Sequence, residues 1–304
     1  MNGKVTSIKG AVADFMMRHG IPGEMEQNLV KEAIHLHLLS ALSDAGVLRH
    51  VVFQGGTALR LCYGGERYSE DLDFVCGKAG SYVDKIEFDR LIRDALETTK
   101  RSLHREFGID PQQIVLKQPL HPMAIKGDAM SVAAWQIVVP IGSTPRSPKS
   151  RIKIELANVP SYDSGPHVAR ATQGLVQIQD VILTAESANE ILADKAVALT
   201  AREVMKYRDV WDVWDLVNRL GAQADRDIVT RKFADYGTLD VAAKARQRRD
   251  DLTKDSTAKS FLDEMRRFLP AKRVAEMCDA GLHRSILAAS GDLLGRAVIL
   301  TPEK

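Results

Sequence analysis

Residues 71–74 of this 304-residue chain read Asp-Leu-Asp-Phe, two carboxylates separated by one large apolar residue. In a β-strand, side chains alternate between faces, so Asp71 and Asp73 share one face about 7 Å apart, and Leu72 and Phe74 take the other. Like charges at that spacing repel each other. A divalent cation, Mg²⁺ or Mn²⁺, would resolve the repulsion, and hard oxygen ligands with room for water describe a site that works on phosphates. Two hydrated acids on an edge strand would give the same four residues, so the neighbourhood has to decide.

Upstream stands Gly55-Gly56-Thr57. A glycine pair lets the backbone turn sharply and approach a ligand, and a helix beginning at Thr57 would turn free N–H groups toward an anion such as a phosphate. An ordinary strand–turn–helix connection would use the same residues. Downstream, Arg-Ile-Lys-Ile-Glu-Leu (151–156) alternates so that Ile152, Ile154 and Leu156 share one face and Lys153 and Glu155 the other. If that strand lies beside the aspartate strand, Glu155 completes a three-carboxylate site, as metal ligand or base. If not, it is one acid of a surface strand.

A later stretch, residues 194–216, adds cations. Lys195, Arg202, Lys206 and Asp209 are spaced by 7, 4 and 3 residues and fall near one face of a continuous helix. Lys195 is suited to neutralise a triphosphate as a mobile point charge, with Asp209 orienting it or the incoming hydroxyl. A solvated, salt-bridged helix accounts for the same charges, and Asp212 fits either reading. Trp211 and Trp214 read as core rather than as stacking platforms. The basic runs 244–249, 264–268 and 270–273 could hold an RNA backbone, although Asp250 and Asp251 dilute the first.

The elements that must position these groups are legible. Residues 8–46 read as helical, 50–54 as a buried strand, 57–63 as a short helix and 69–76 as the aspartate strand. An amphipathic helix follows over 84–107. Strands at 131–141 and 150–158 flank a Pro/Ser turn and suggest an antiparallel pair. From Ala188 the pattern is helical, with breaks near Gly221, Gly237 and Pro270. The expected class is α+β: a core on a small mixed β-sheet with flanking helices over 1–185, then a helical domain over 186–304.

Composition bounds the rest. With 45% hydrophobic and 27% charged residues the chain is that of a globular protein, and no apolar run reaches the roughly 18 residues of a membrane span. The N-terminus lacks the features of a signal peptide, so a cytoplasmic protein without a membrane partner is expected. A net charge of +2, spread evenly over both halves, gives no global argument for nucleic acid. Cys62, Cys76 and Cys278 are too few and scattered for a disulfide framework and read as small buried hydrophobes.

Taken together, a Gly-Gly-Thr, thirteen intervening residues (58–70) and Asp71-Leu72-Asp73-Phe74 resemble the signature of the DNA polymerase β-like nucleotidyltransferase superfamily. Thr57 stands where many members have Ser. The finer pattern, with Arg67 and Ser69 ahead of the aspartates and Lys195, Arg202, Arg208, Asp209 and Asp212 later, resembles the AbiEii/AbiGii toxin branch, which includes MenT-type toxins. The Ala-Leu that usually follows the lysine arrives one residue late here. The resemblance spans roughly 50–220. It implies metal binding by Asp71, Asp73 and Glu155, and nucleotide binding by Gly55, Gly56, Thr57, Arg67, Ser69 and Lys195. It also implies transfer of a nucleoside monophosphate from an NTP to an acceptor, with the tRNA 3′ end as the expected acceptor, and a cognate antitoxin encoded nearby. A small-molecule acceptor and an inactive nucleotide-binding module stay open at this point.

Overall fold

The computed structural model describes residues 6–76, 85–119, 130–142, 148–172 and 174–300. Two compact units emerge, one of residues 1–160 with 165–185, the other of 161–164 with 186–304. Among the described residues no helix is long and apolar enough to cross a membrane.

The first unit opens with α1 (Ile8–His19), stopped by Gly20 in the left-handed region, and α2 (Glu26–Asp44). The sequence suggested helix throughout 8–46; the Gly20-Ile21-Pro22 break divides it, because proline and a positive-φ glycine both end helices. Next come β1 (Val51–Gln54), α3 (Gly55–Leu61), β2 (Leu72–Cys76), α4 (Lys85–Phe107) and β3 (Val115–Lys117). Then follow β4 (Val132–Pro140), β5 (Lys149–Pro160), β6 (Ser164–Ala169) and β7 (Val181–Glu186). The strands form one mixed sheet in the order β3-β4-β5-β2-β1-β7-β6. β4 and β5 are antiparallel as expected, and residues 143–147 of the anticipated Pro/Ser turn lie outside the described residues.

Along β5 from Lys149 to Leu156 every second residue is buried: Ile152, Ile154 and Leu156 point into the core, and Arg151, Lys153 and Glu155 do not. The core contains the Phe53–Phe74 ring pair at 5.1 Å and is closed by α2, which packs on α4 and on β5. An aromatic pair of this kind contributes about 0.5–1.5 kcal/mol beyond its burial. Thus the residues between the carboxylates, Leu72 and Phe74, anchor β2, and their burial leaves Asp71 and Asp73 on the sheet's other face.

The second unit is helical: α5 (Ala188–Ala201), α6 (Tyr207–Asn218), α7 (Arg226–Asp235), α8 (Val241–Leu252), α9 (Asp255–Met265), α10 (Ala271–Asp279) and α11 (Leu282–Leu300), with α11 packed on α6 and α8. Its interior holds a charge cluster that the sequence did not reveal. The buried Lys232 ammonium lies 2.8 Å from Glu186, 2.7 Å from Glu190 and 3.1 Å from Asp194. Four-residue spacing brings these acids to one side of α5 and its approach. Burial, reinforced by Asp194, pushes the Glu186 carboxyl well above the usual carboxylate range, which relieves an excess of negative charge. Glu190 also accepts from the Ser161 hydroxyl at 2.8 Å and from the Tyr162 and Asp163 amides at 2.8 and 2.6 Å, tying 161–164 to the helices.

Of the cysteines, Cys76 is buried, Cys62 half-buried and Cys278 exposed, so the expectation of three buried thiols holds for Cys76, is met only in part at Cys62 and fails at Cys278. Burial pushes the Cys62 and Cys76 thiols up to about 12 and about 11, away from nucleophilic use.

Candidate active site

At the end of β1 the chain enters α3 through Gly55, whose φ of 76° favours glycine. The helix includes both glycines, whereas the sequence suggested a turn there with helix only from Thr57. A Cβ on Gly55 would stand 2.7 Å from Asp73 Oδ2, and one on Gly56 would stand 2.9 Å from Ser69 Oγ and closer still to the Arg67 guanidinium. The glycines are therefore the surface against which Asp73, Arg67 and Ser69 pack. Arg67 is itself buried and donates to the Tyr68 carbonyl at 2.9 Å, so its charge sits beneath the turn.

Thr57 departs from its expected role. It is buried, and its hydroxyl donates to the Asp71 carbonyl. A side chain committed to the backbone behind the site holds Asp71 in place; its hydroxyl does not face outward toward a triphosphate. Two α2 residues brace the same segment from the other side: Lys31 binds the Glu70 carboxylate at 2.6 Å, and His35 Nε2 meets the Glu70 carbonyl at 3.0 Å. Burial lowers the His35 pKa to about 4, so the ring is neutral and Nε2–H is the donor. Neither residue was singled out in the sequence; the only signal was a pair of histidines in the apolar run Ala33–Leu42.

Strand β5 lies parallel to β2 with Asp73 directly opposite Glu155. Asp71, two residues earlier, is on the same face, and its Oδ1 accepts from the Lys153 amide at 3.1 Å. The sheet therefore brings together Asp71, Asp73 and Glu155. Lys153 joins them: its ammonium is 3.3 Å from Glu155 Oε1, and its pKa is raised first by Glu155 and further by Asp71 and Asp73. One side chain feels all three acids, so a single cation there can answer them together. Among the described residues no group of three His, Cys, Asp or Glu is gathered closely enough for all to ligate one ion. That is compatible with Mg²⁺, which commonly takes one or two carboxylates and completes its shell with water and phosphate oxygens. The donor set, oxygen only, fits such an ion.

In the second unit Lys195 is buried, with Nζ 2.7 Å from both Asp209 and Asp212. Burial opposes ionisation of Asp209, but Lys195 and then Arg202 outweigh it and lower its pKa to about 2. Lys195 is thus a fixed cation rather than the mobile one expected. The single helical face expected for Lys195, Arg202, Lys206 and Asp209 is also corrected, because α5 ends at Ala201 and α6 begins at Tyr207. Arg248 takes the carbonyls of Leu199 (3.2 Å), Arg202 and Glu203 (2.8 Å), while Glu264 accepts from the amides of Tyr207 (3.0 Å) and Arg208 (3.3 Å). Both helix ends are satisfied by residues distant in sequence, which local periodicity does not register. Trp211 is buried, as expected, but Trp214 is only half-buried.

A mixed sheet that presents paired strand carboxylates beside a Gly-Gly turn, flanked by helices, is a nucleotidyltransferase fold. The family is narrower. The chain belongs to the AbiEii nucleotidyl transferase toxins of Type IV toxin–antitoxin systems, whose sequence model matches residues 37–280. It is a nucleotidyltransferase, and its family implies an antitoxin partner. Among solved structures, JHP933 from Helicobacter pylori is 18% identical with a TM-score of 0.47, over 90% of this chain and 93% of that one. A candidate nucleotidyltransferase from H. pylori is 19% identical with a TM-score of 0.46, over 90% and 96%. No curated protein matches the chain.

Proposed function

We propose that this toxin transfers a nucleoside monophosphate from an NTP to an acceptor hydroxyl in a Mg²⁺-dependent reaction, with the tRNA 3′ end as acceptor and arrest of translation and growth as the result. The observation that carries this reading is the register of Asp73 against Glu155, with Asp71 on the same face and Lys153 within the field of all three. Asp71 and Asp73 would hold the ion, with Glu155 beside them. Bound there, Mg²⁺ supplies positive charge for the phosphoryl oxygens and the departing pyrophosphate.

The residues of the chain do the rest. The Gly55-Gly56 backbone offers close approach, and the buried Arg67 adds positive charge beneath it. Glu155 accepts the proton of the acceptor hydroxyl as its oxygen bonds to the α-phosphorus. The bond from that phosphorus to the bridging oxygen breaks, and pyrophosphate leaves. Within the helical unit Lys195, expected from the sequence to meet a triphosphate, is a cation held in one orientation by Asp209 and Asp212.

The test incubates the protein with each labelled NTP and either total RNA or a panel of small hydroxylic compounds, then sequences RNA 3′ ends. Label at tRNA 3′ ends is expected. Label only in small molecules would overturn the acceptor, and tight NTP binding without turnover would identify an inactive binding module.

A further inference from the structure

The helical unit carries a basic trough that the chemistry above does not use. A cavity of about 720 Å³ lies between α8, the start of α9 and α11, and includes Arg246, Arg249 and Arg284 in its walls. Among the described residues none of these three guanidiniums has a hydrogen-bond or ion-pair partner, whereas Arg248, on α8 with Arg246 and Arg249, is spent on the carbonyls of Leu199, Arg202 and Glu203 at the end of α5. Lys254, also at the wall, is held by Asp251 at 2.6 Å. The acids Asp250, Asp255 and Asp292 line the cavity too, yet none is within ion-pair distance of the three arginines.

Across α11 a second cavity of about 340 Å³ is walled by Trp214, Val217 and Leu293, with Arg296 beside them. The two cavities share Ala288 and Asp292, so they meet over the exposed side of α11. Unpaired guanidiniums thus adjoin an apolar slot with an indole wall. Forked N–H donors suit phosphate oxygens, an indole suits a base face, and the Asp292 carboxylate at the junction can accept from exocyclic base N–H groups. A duplex keeps its bases stacked and would leave the slot empty; an acidic protein would answer the arginines and leave the indole without a planar partner.

We propose that this trough binds single-stranded nucleic acid, its phosphates on Arg246, Arg249 and Arg284 and a base against Trp214. The proposal stands apart from the carboxylate site and does not need it to be active. The test is fluorescence anisotropy of the full chain with a labelled single-stranded RNA of about 12 nucleotides, a length within the span such grooves cover. The double substitution R246Q/R249Q should weaken binding at least tenfold. It should also reduce the slope of log K against log salt by about 1.4, at roughly 0.7 for each phosphate no longer neutralised. Trp214→Phe should abolish RNA-induced quenching of tryptophan fluorescence while the melting curve stays in place, and R90Q, at an exposed arginine of α4 outside the trough, should leave binding unchanged.

No binding by the wild-type chain at low salt overturns the proposal, as does binding indifferent to R246Q/R249Q. Equal binding of duplex RNA reduces the trough to a plain charged patch, and equal displacement by polyglutamate makes it a surface for an acidic protein; either result also rejects it. In any of these cases, nucleotide transfer that still depends on Asp71 would leave the catalytic reading standing.

Discussion

Replacing Gly55 by alanine should separate the stability of the fold from the geometry of the site. Gly55 has φ 76°, and its added Cβ would lie 2.7 Å from Asp73 Oδ2. The backbone cost of a side chain in this region is about 1–2 kcal/mol. The clash is with the end of a side chain, so it can be relieved by moving the Asp73 carboxylate about 0.7 Å to reach an ordinary 3.4 Å contact. A misplacement of about 1 Å at reacting groups can cost on the order of 100-fold in rate. Gly55→Ala should therefore melt only a few degrees lower while losing transfer activity tens-fold. Gly64→Ala is the control: Gly64 has φ 67° and nothing within 4 Å of an added Cβ, so it should carry the same backbone cost with full activity. Circular-dichroism melts and initial rates of pyrophosphate release read both effects. Equal activity in the two variants would refute the claim that Gly55 exists to seat Asp73.

Three further outcomes follow from the same structure. His35 has a folded pKa of about 4 against an ordinary 6.5, so the unfolded chain binds the proton first and stability present above 6.5 drains away as the pH falls toward 4. The loss is about 3 kcal/mol at most, and His35→Gln should flatten that part of a stability–pH curve measured by urea denaturation. Lys153→Met removes the ammonium that shares the carboxylates, and titration with Mn²⁺ in the absence of NTP should show several-fold tighter binding; unchanged affinity would mean that the lysine and the ion do not compete. Lys232→Met leaves buried acids without their cation and should cost about 3–5 kcal/mol in denaturant unfolding, a loss that a peripheral lysine would not produce.

Much of the first unit could be read from residue pattern because its signals are local. The Asp-x-Asp alternation fixes which face the carboxylates take, and the Ile-x-Ile-x-Leu of β5 does the same for Glu155. What placed β5 beside β2, with Asp73 opposite Glu155, was tertiary pairing that the sequence could pose only as a condition. β3, β6 and β7 escaped notice: a three-residue strand and one containing Gly165-Pro166 carry little periodic signal, and β7 falls at 181–186, where the helical domain was expected to begin. The break between Lys195 and Asp209 depends on Arg248 and Glu264, so a helix pattern that runs through 194–216 is overruled from elsewhere in the chain. Thr57 shows the limit of motif reading: its hydroxyl is where the pattern demands it, but the backbone of Asp71 takes it. The Lys232 cluster was hidden for a similar reason, since Glu186 at the end of β7 and three charged residues on two helices look like ordinary surface until these elements pack.

The most direct test of the central claim is pyrophosphate release by the purified protein with NTP, Mg²⁺ and total RNA, comparing wild type with Asp73→Asn. The substitution keeps the volume and the packing against Gly55 but removes the charge. Release by the wild type, reduced by at least 1,000-fold in the variant (about 4 kcal/mol of transition-state stabilisation) with an unchanged melting temperature, is the expected result. Undiminished release and undiminished growth arrest from Asp73→Asn would contradict the account.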